Sequence, residues 1–419
     1  MTLNEKYTEM TATPVRRLVL RLAIPTIISM VVTSLYNIVD AAFVGHLSTE
    51  ATAGIGVSFS YMIVVQALGF FFGHGSGNYI SRELGAQRHD TAATMAAVGF
   101  FTPLLLGLAM AVGFGTHLPT LARLLGATPD VVPYAAEYLR YIVYATPLMM
   151  TALTLNNQLR LQGNARYGMV GIVTGAVLNI FLDALFIPVL GWGVTGASLA
   201  TAISQTVCWG LLLWGTRRDG SVHIVPRKFR PTLRAYYEIL MGGLPSLCRQ
   251  AFNCVSEVML NYAAKRFAPI GDEASSVAAF AVVSRATMFA FSLILGFTQG
   301  FQPVCSYNFG AKLYKRVLQG FKFCVLVALY FLITVSIVIF IFAPFIITFM
   351  MPSSEEVTYL GSLALRAQCL TYPFGSVIII TNMLLQASGQ SKEASLVASG
   401  RQGLFLLPIL LILPRIFGL

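Results

Sequence analysis

Long apolar runs, each about the length of a membrane-spanning helix, follow one another along almost the whole chain. Short polar segments separate them, and a bilayer core takes about 20 apolar residues per helix. Eleven runs are present, at residues 18–45, 52–81, 91–116, 133–157, 167–188, 193–215, 236–263, 275–304, 318–349, 357–384 and 393–414. The pattern predicts an all-α polytopic membrane protein. Prolines inside the runs predict bends, because each removes a helix hydrogen bond: Pro147, Pro344, Pro373 and Pro408.

Composition supports this class and excludes others. Apolar residues make up 56% of the chain and charged residues 11%, against about 25% charged in ordinary globular proteins. A net charge of +11 would suggest nucleic acid as a partner, but the basic residues form no clustered face. The six cysteines show neither CxxC pairs nor metal-ligand spacing. We expect no nucleic-acid partner and no metal other than a coupling Na⁺.

Motifs for nucleotide-driven or hydrolytic chemistry are missing from the sequence. There is no GxxxxGK followed by Ser or Thr, so we expect no nucleotide to bind. Neither HExxH nor GxSxG occurs. The sequence therefore predicts a protein that is not an enzyme and has no cofactor. The histidines within and beside the runs look peripheral or isolated, so we expect no histidine proton relay: His46, His74 and His117.

The basic residues also predict how the chain lies in the membrane. With the N-terminus in the cytoplasm, nineteen of the 28 lysines and arginines, Arg160 among them, lie on the cytoplasmic side. Four lie outside and five lie within runs, which is the bias expected of cytoplasmic loops. The first run is too long for a signal-peptide core. We expect an uncleaved multi-pass protein of the cytoplasmic membrane with a cytoplasmic N-terminus.

The second half of the chain repeats the first. Pro25 and Pro245 open corresponding runs. Further matches follow in order: Gly85-Ala86 with Gly310-Ala311, then Arg140, Pro147, Asn156, Gly163 and Pro188 with Arg366, Pro373, Asn382, Gly389 and Pro414. Six crossings return the chain to its starting side, so both copies run in the same sense. The sequence predicts two tandem helical bundles related by a pseudo-twofold axis along the membrane normal, with a cleft between them.

The predicted organisation is an N-lobe at residues 1–216, a cytoplasmic linker at 217–235 and a C-lobe at 236–419. The N-lobe holds six runs and the C-lobe five. By the repeat, the sixth run projects onto about 418–441, where the sequence stops at Leu419. We therefore expect a twelfth helix to be absent from this chain, as in a truncated form of a protein about 25 to 40 residues longer.

Acidic residues inside the runs are candidates for function. An Asp at the centre of a span costs roughly 2.5 to 3.5 kcal/mol, so Asp40 and Asp183 indicate a role. Asn179 lies one helical turn before Asp183, on the same face. These groups could bind Na⁺ through oxygens or share a proton; alternatively, they hydrogen-bond neighbouring helices as polar glue. Glu257, in the second copy, is a candidate for a second site.

A tyrosine series in the fourth run marks a candidate substrate surface. The tyrosines recur at helical spacing at Tyr134, Tyr138, Tyr141 and Tyr144. Facing the cleft, they would suit flat aromatic cations through cation–π contacts. An interfacial aromatic belt with bundle packing is the alternative, and we favour it. The candidate cleft residues are Tyr36, Glu137, Tyr138, Tyr141 and Arg285.

At these residues the sequence resembles the multidrug and toxic compound extrusion (MATE) family, most closely its bacterial MepA-like members. The similarity covers almost the whole chain and rests on ordered strings: LAIPTIISMVVTSLYNIVDAAFVGHLS, SRELGA, LRLQGNARYGM, VLNIFLDALFI, GFTQGFQPVCSYNFGAKLYKRV and LLQASGQSKEA. The resemblance implies a V-shaped pair of six-helix lobes. It also implies efflux of cationic or amphiphilic drugs in exchange for Na⁺ or H⁺.

The resemblance further implies which residues bind the coupling ion. The family's N-lobe cation site maps onto Asp40, Asn179, Asp183 and Thr201, and Thr201 enters on this ground alone. Some members use an acidic site in the C-lobe, which Glu257 resembles. An aspartate that would accompany it in the tenth span is absent here.

The sequence thus predicts a monomeric, cation-coupled antiporter for cationic drugs, embedded in the bilayer and working by alternating access of two lobes. The runner-up is a flippase for a lipid-linked saccharide, which would need a basic ring in its cavity. Four arginines could supply that ring: Arg140, Arg249, Arg285 and Arg366. A membrane sensor or scaffold that transports nothing is a third hypothesis, but such a protein would not need paired acids inside its spans.

Overall fold

The structure is a computed structural model that describes residues 2–45, 47–218, 220–267, 273–350 and 355–400, together with residues 403, 406, 408, 409 and 412. Within these residues the chain is nearly all helix and has no strand. A helix satisfies its own backbone hydrogen bonds, which a bilayer cannot do for it. The predicted fold class is therefore confirmed.

Long helices build both lobes. In chain order they and the shorter helices are α1 (Leu3–Ala12), α2 (Val15–Val44), α3 (Thr49–Gly85), α4 (His89–Gly115), α5 (Leu118–Leu124), α6 (Val132–Leu161), α7 (Ala165–Ala184), α8 (Gly193–Thr216), α9 (Leu233–Phe267), α10 (Glu273–Gly310), α11 (Tyr314–Met350), α12 (Glu355–Cys369), α13 (Tyr372–Ser388) and α14 (Ser391–Ser399). Following the repeat, we call helices α2 to α8 the N-lobe and helices α9 to α14 the C-lobe. A single 3₁₀ turn, Pro226–Lys228, lies in the linker between them.

Each of the first nine predicted spans corresponds to one helix, and the fifth continues from α7 into a π-helical turn, Leu185–Val189. The tenth is broken into α12 and α13, which are bent by 54° at their junction. Pro373 lies in the first turn of α13, where its missing N–H costs no helix bond, so the bend falls near this proline as predicted. Helices α6 and α11 continue through Pro147 and Pro344. The eleventh span begins as α14 and then passes largely outside the described residues.

Hydropathy alone distinguishes two kinds of helix. In the described part of the chain, six helices and the bent α12–α13 pair are long and apolar enough to cross a membrane: the six are α2, α3, α4, α7 with the turn after it, α8 and α11. Helix α6 is less apolar because its last turns bury polar side chains, including Asn156, Gln158 and Arg160. Such side chains need neighbours rather than lipid.

Two short helices, α1 and α5, were not predicted. Helix α1 lies in the polar arm before the first span and begins with a capping box between Thr2 and Glu5. Lys6 is buried, donates to the Gly163 carbonyl at 2.8 Å and pairs with Glu9 at 2.9 Å. Burial lowers the pKa of Lys6, and the ion pair with Glu9 partly offsets this effect. The arm is therefore packed against the N-lobe. Its polar composition gave no indication of this packing.

The pseudo-twofold axis appears directly in the contact between α3 and α10. A side chain at Gly85 would meet the carbonyl of Tyr307, and one at Gly310 would meet the carbonyl of Arg82. Gly85 and Gly310 are repeat partners, and so are Arg82 and Tyr307. Each contact is thus the symmetry mate of the other, as in an isologous interface.

Glycines also allow close approach along two equivalent seams between the lobes. Gly75 of α3 lies against Ile239 of α9, and its repeat partner Gly300 of α10 lies against Ala23 of α2. Hydrogen bonds join the lobes on the side of Gly85 and Gly310: Asn78 with Gln302 and Ser306, Arg82 with the Ala387 carbonyl, and Arg160 with Gln302 and the Gln299 carbonyl. We call this side, where α3 and α10 finish, the Gly85 end. The lobes are packed tightly there.

Candidate functional site

An acid pair lies inside the N-lobe, toward the end opposite Gly85. Asp40 is near the end of α2 and is half-buried, whereas Asp183 is 0% exposed near the end of α7. The two carboxyl groups face each other closely enough to interact. Facing carboxylates repel unless a proton or a cation lies between them. This arrangement is suited to holding a positive charge.

Several polar atoms around the acid pair have no hydrogen-bond partner among the described residues. Neither oxygen of Asp183 receives a hydrogen bond from a described donor, and both amide atoms of buried Asn179 are also without partners. The hydroxyl of Ser204, on α8, is in the same condition. An unsatisfied buried polar group costs about 1–3 kcal/mol. Several together, within one lobe, indicate a site that a ligand completes.

Ser204 was missed by the sequence analysis. It stands three residues after Thr201 and so shares a face of α8 with it. Thr201 is buried, and its hydroxyl donates to the Ala197 carbonyl at 3.1 Å, which leaves its oxygen lone pairs free to accept or to ligate. The spacing within GASLATAISQ was the available signal, but small residues there also fit a packing face.

Two tyrosines border the acid pair instead of a cleft between the lobes. The Tyr138 hydroxyl donates to the sulfur of Met62 at 3.7 Å and lies beside Thr201. Tyr36 interacts electrostatically with Asp40 and Asp183. Their position inside the N-lobe places a polar aromatic wall around the acid pair.

A cavity of about 160 Å³ adjoins this site. It has room for roughly ten water molecules, and it is smaller than the roughly 300–1,000 Å³ of a typical drug pocket. Lining residues from five helices include Tyr36, Asn37, Gln66, Asn156, Asn179, Thr201, Ser204 and Gln205. The cavity is therefore suited to a hydrated ion or a small group next to the acid pair.

A π-helical turn follows Asp183 at the end of α7. Directly after Ala184 the helix widens into a π-helical turn, Leu185–Val189, which contains Pro188. The backbone N–H of Leu190 then bonds to the Leu185 carbonyl at 2.9 Å. Such π-turns occur mainly as single insertions and are frequent at functional sites.

The other candidates for the substrate cleft are scattered. Glu137 is exposed and accepts a hydrogen bond from the Thr195 hydroxyl. Tyr141 is half-buried, whereas Tyr144 is 59% exposed with its hydroxyl 3.5 Å from the Gly115 carbonyl. With Tyr138 buried, the series is not one cleft-facing surface, because spacings of four, three and three residues turn gradually around the helix. Packing within the helical bundle explains the tyrosine series better, which agrees with the interpretation that the sequence favoured.

Two further candidates lie in the C-lobe. Glu257 is exposed on α9 and forms no ion pair with a described residue. The side chain of Arg285 lies outside the described part of the structure. A second ion site around Glu257 thus stays a prediction.

One expectation about these groups was wrong, because His74 is 0% exposed instead of peripheral. Arg160, which was counted with the residues on the cytoplasmic side, is 2% exposed. The two side chains contact each other, with 3.2 Å between Arg160 Nη2 and His74 Nε2. Arg160 lies at the end of a long span, so charge counting could not distinguish a residue facing water from one facing the other lobe.

A two-lobed membrane protein with an acid site inside one lobe is the plan of a secondary transporter. The family model MatE matches residues 25–185 and again 245–410, so the chain belongs to the MatE family. The double match also confirms the tandem repeat.

Relatives and solved structures agree with this assignment. The multidrug export protein MepA of Staphylococcus haemolyticus is 26% identical over 400 residues, covering 95% of this chain and 86% of that protein. MepA of Staphylococcus aureus is 24% identical over 412 residues, covering 97% and 89%. An outward-facing multidrug resistance MATE transporter of the MOP superfamily superposes with a TM-score of 0.87 at 26% identity, covering 98% of this chain and 90% of that one.

A further structural relative is described differently. It is a MOP superfamily transporter from Pyrococcus furiosus whose binding pocket has reverse polarity, suggesting a different function. It superposes with a TM-score of 0.85 at 26% identity, covering 97% of this chain and 90% of that one.

Proposed function

We propose that this multidrug efflux transporter is an antiporter that exports organic cations in exchange for Na⁺ or H⁺ bound at Asp40 and Asp183. The observation that carries the proposal is the buried acid pair, with the unpartnered atoms of Asn179 and Ser204 nearby. MATE and MepA relatives named for multidrug resistance and export support the substrate class. The protein acts as a monomer in the cytoplasmic membrane.

The bias of basic residues supports a cytoplasmic N-terminus, which puts the Gly85 end on the cytoplasmic side. The lobes then meet on the cytoplasmic side, and the acid pair lies in the outer half of the N-lobe. Similarity to an outward-facing transporter supports the same assignment. In this state a cation from outside reaches Asp40 and Asp183.

Coupling requires that the ion favours one state. A ligand with equal affinity for both conformations shifts nothing. A proton or Na⁺ between the carboxyl groups removes their repulsion, which lets α2 and α7 pack more closely. That closer packing favours return to the inward-facing state, while the drug leaves outward. A membrane potential adds about 2.3 kcal/mol per charge per 100 mV.

Transport from proteoliposomes tests the proposal. Vesicles loaded with an ethidium-like cation are given a pH gradient or a Na⁺ gradient, each alone. Export driven by one gradient and dissipated by its ionophore is the expected result. Export that is indifferent to both gradients contradicts it.

The flippase alternative needs a basic ring around a central cavity. Arg366 does not supply one, because its Nε bonds to the Phe340 carbonyl at 3.1 Å and its guanidinium covers the Phe340 ring. Arg249 lies between the lobes and is the one observation that favours an anionic cargo. Movement of a fluorescent lipid-linked saccharide across the same vesicles, without cation export, would establish this alternative.

A further inference from the structure

Arg160 is the centre of a hydrogen-bond network between the lobes. Its Nη1 donates to the Gln299 carbonyl at 2.7 Å and to Gln302 Oε1 at 3.1 Å. Its Nη2 donates to Asn157 Oδ1 at 2.8 Å and contacts His74 Nε2 at 3.2 Å. The guanidinium of an N-lobe helix is thereby held against α10 of the C-lobe.

None of these acceptors carries a negative charge. A guanidinium can only donate, so His74 Nε2 must accept and the ring proton is on Nδ1, 3.1 Å from the Phe70 carbonyl. His74 is therefore neutral in this network. The Nε of Arg160 is buried and has no partner among the described residues. In the described part of the chain, this buried guanidinium thus lacks both a counter-charge and one hydrogen bond.

A second guanidinium lies close by. Gln302 donates to Gln386 at 3.2 Å, and Gln386 donates to Ser246 of α9 at 2.9 Å. Arg249 stands one helical turn after Ser246, on the same face. It is half-buried, and its guanidinium lies close enough to interact electrostatically with Arg160 and with the His74 ring. Among the described residues it forms no hydrogen bond or ion pair.

The repeat shows that packing does not require these charges. The partner of His74 is Gln299, the partner of Arg160 is Gln386, and the partner of Arg249 is Ser29. Within the C-lobe the Gln386 amide, on α13, donates to the Gly242 carbonyl of α9 at 3.0 Å as well as to Ser246. The positions that correspond to Arg160 and Arg249 in the other copy therefore hold neutral side chains. The positive charges occur on only one side of the pseudo-twofold axis.

We propose that Arg160 and Arg249 form an anion site in the contact between the lobes, which takes a carboxylate or phosphate group. A buried charge without a counter-charge is destabilising. The Nε–H of Arg160 can donate one hydrogen bond to an anion, and the guanidinium of Arg249, which bonds to no described residue, can hold a carboxylate or a phosphate in bidentate geometry. The group comes either from a transported substrate or from a lipid headgroup. Where a substrate supplies the anionic group, the inference rests on the proposed function. In that case the transporter exports zwitterionic amphiphiles in preference to simple cations.

A matched pair of dyes tests the site. Tetramethylrhodamine carries a free carboxylate, and its methyl ester is the same cation without it. We expect the full chain in phosphatidylcholine nanodiscs to bind the acid about tenfold more tightly than the ester, measured by fluorescence anisotropy. Arg160→Gln and Arg249→Ser, which copy the repeat partners, should each remove this preference and leave ester binding unchanged. Equal binding of both dyes by the wild-type chain, without the lipid effect below, overturns the proposal.

The lipid source is tested in the same nanodiscs. If a headgroup occupies the site, added phosphatidylglycerol weakens binding of the acid severalfold in the wild-type chain and has no effect in Arg160→Gln. A preference for the acid that survives in both arginine variants contradicts the site. Arg160 is buried, so each variant is first compared with the wild type by size-exclusion profile and thermal midpoint. If Arg160→Gln does not fold, the loss of the preference for the acid is measured in Arg249→Ser, whose substitution is at a half-buried position.

These measurements are made at equilibrium without any gradient. A chain that binds the acid through Arg160 but exports nothing contradicts the proposed function alone. A chain that exports cations and ignores the carboxylate contradicts the anion site alone.

Discussion

Asp183 differs from an ordinary buried carboxylate, which is paired with a cation or accepts several hydrogen bonds. Its side chain is 0% exposed, and neither oxygen accepts a bond from a described donor. Asp40 adds a second carboxyl from another helix. A positive charge between the two groups therefore stabilises the pair, which is the property that the proposed ion coupling requires.

Neutral isosteres should separate coupling from folding. We expect Asp40→Asn and Asp183→Asn each to abolish gradient-driven export, because an amide mimics the protonated acid and holds no cation. The thermal midpoint should not fall, since no hydrogen bond to Asp183 is lost. Vesicle efflux and thermal unfolding measure the two effects. Glu137→Gln, at an exposed carboxylate, is the matched control and should transport normally; near-normal efflux by both Asp variants would reduce them to structural polar groups.

Ser204 offers a milder change at the same site. Ser204→Ala should weaken coupling-ion affinity about threefold to tenfold, the worth of one hydrogen bond of about 1 kcal/mol. Stability should be unchanged, because the hydroxyl has no partner among the described residues to lose. The concentration of ion giving half-maximal efflux is the measurement. Ser58→Ala, whose hydroxyl bonds to the Gly54 carbonyl at 2.8 Å, is the control; equal effects of the two variants would refute a special role for Ser204.

The sequence predicted part of this site for physical reasons. Asp40, Asp183 and Asn179 stood out because charge and amide groups are rare in apolar runs. Thr201 came from family resemblance, and Ser204 was missed because small hydroxyl residues are common at helix contacts. The burial of His74 and Arg160 depends on packing between distant segments, which periodicity along one helix does not report.

At the scale of helices, the lobes meet through backbone as much as through side chains. Gly85 of α3 and Gly310 of α10 leave no room for a Cβ. Periodicity predicted both helices, but not that they extend to these glycines and touch there. The unpredicted helix α1 and the break between α12 and α13 show the same limit: a docked polar arm and a bent span both depend on tertiary contacts.

Filling one glycine should open the Gly85 end. Gly85→Ala and Gly310→Ala should each destabilise the closed contact by about 1–3 kcal/mol, as overpacking does, and by similar amounts because the contacts are symmetry mates. Distances between spin labels on α3 and α10 would show a wider population. Gly56→Ala is the control in α3, since nothing lies within 4 Å of that position. A closed population unchanged by either variant would mean that the contact does not hold the lobes together.

At the scale of the whole molecule, the arrangement of lobes assigns a side to each loop. The linker is fixed to the Gly85 end, where Lys228 pairs with Asp90 at 2.5 Å. The segment between α5 and α6 lies at the opposite end, close to where α2 finishes. These two segments therefore report on orientation from opposite faces.

Cysteines placed in the two segments should react from opposite sides. In a cysteine-free background, Arg227→Cys should be labelled by a membrane-impermeant maleimide only in inverted vesicles, and Asp130→Cys only in intact cells, because both native residues are exposed. Permeabilised membranes, where both should react, provide the control. The reverse pattern would invert the topology and place the acid pair on the cytoplasmic side.

The paired contacts of Gly85 and Gly310 are those that two identical chains make about a twofold axis. In such a dimer, any substitution at the axis is present twice, so a charge on one side is always repeated on the other. Fusion of the two copies into one chain removes this constraint. Arg160 can then stand opposite Gln386, and Arg82 opposite Tyr307, so that the tandem chain has a polarity across its own axis that a homodimer could never acquire.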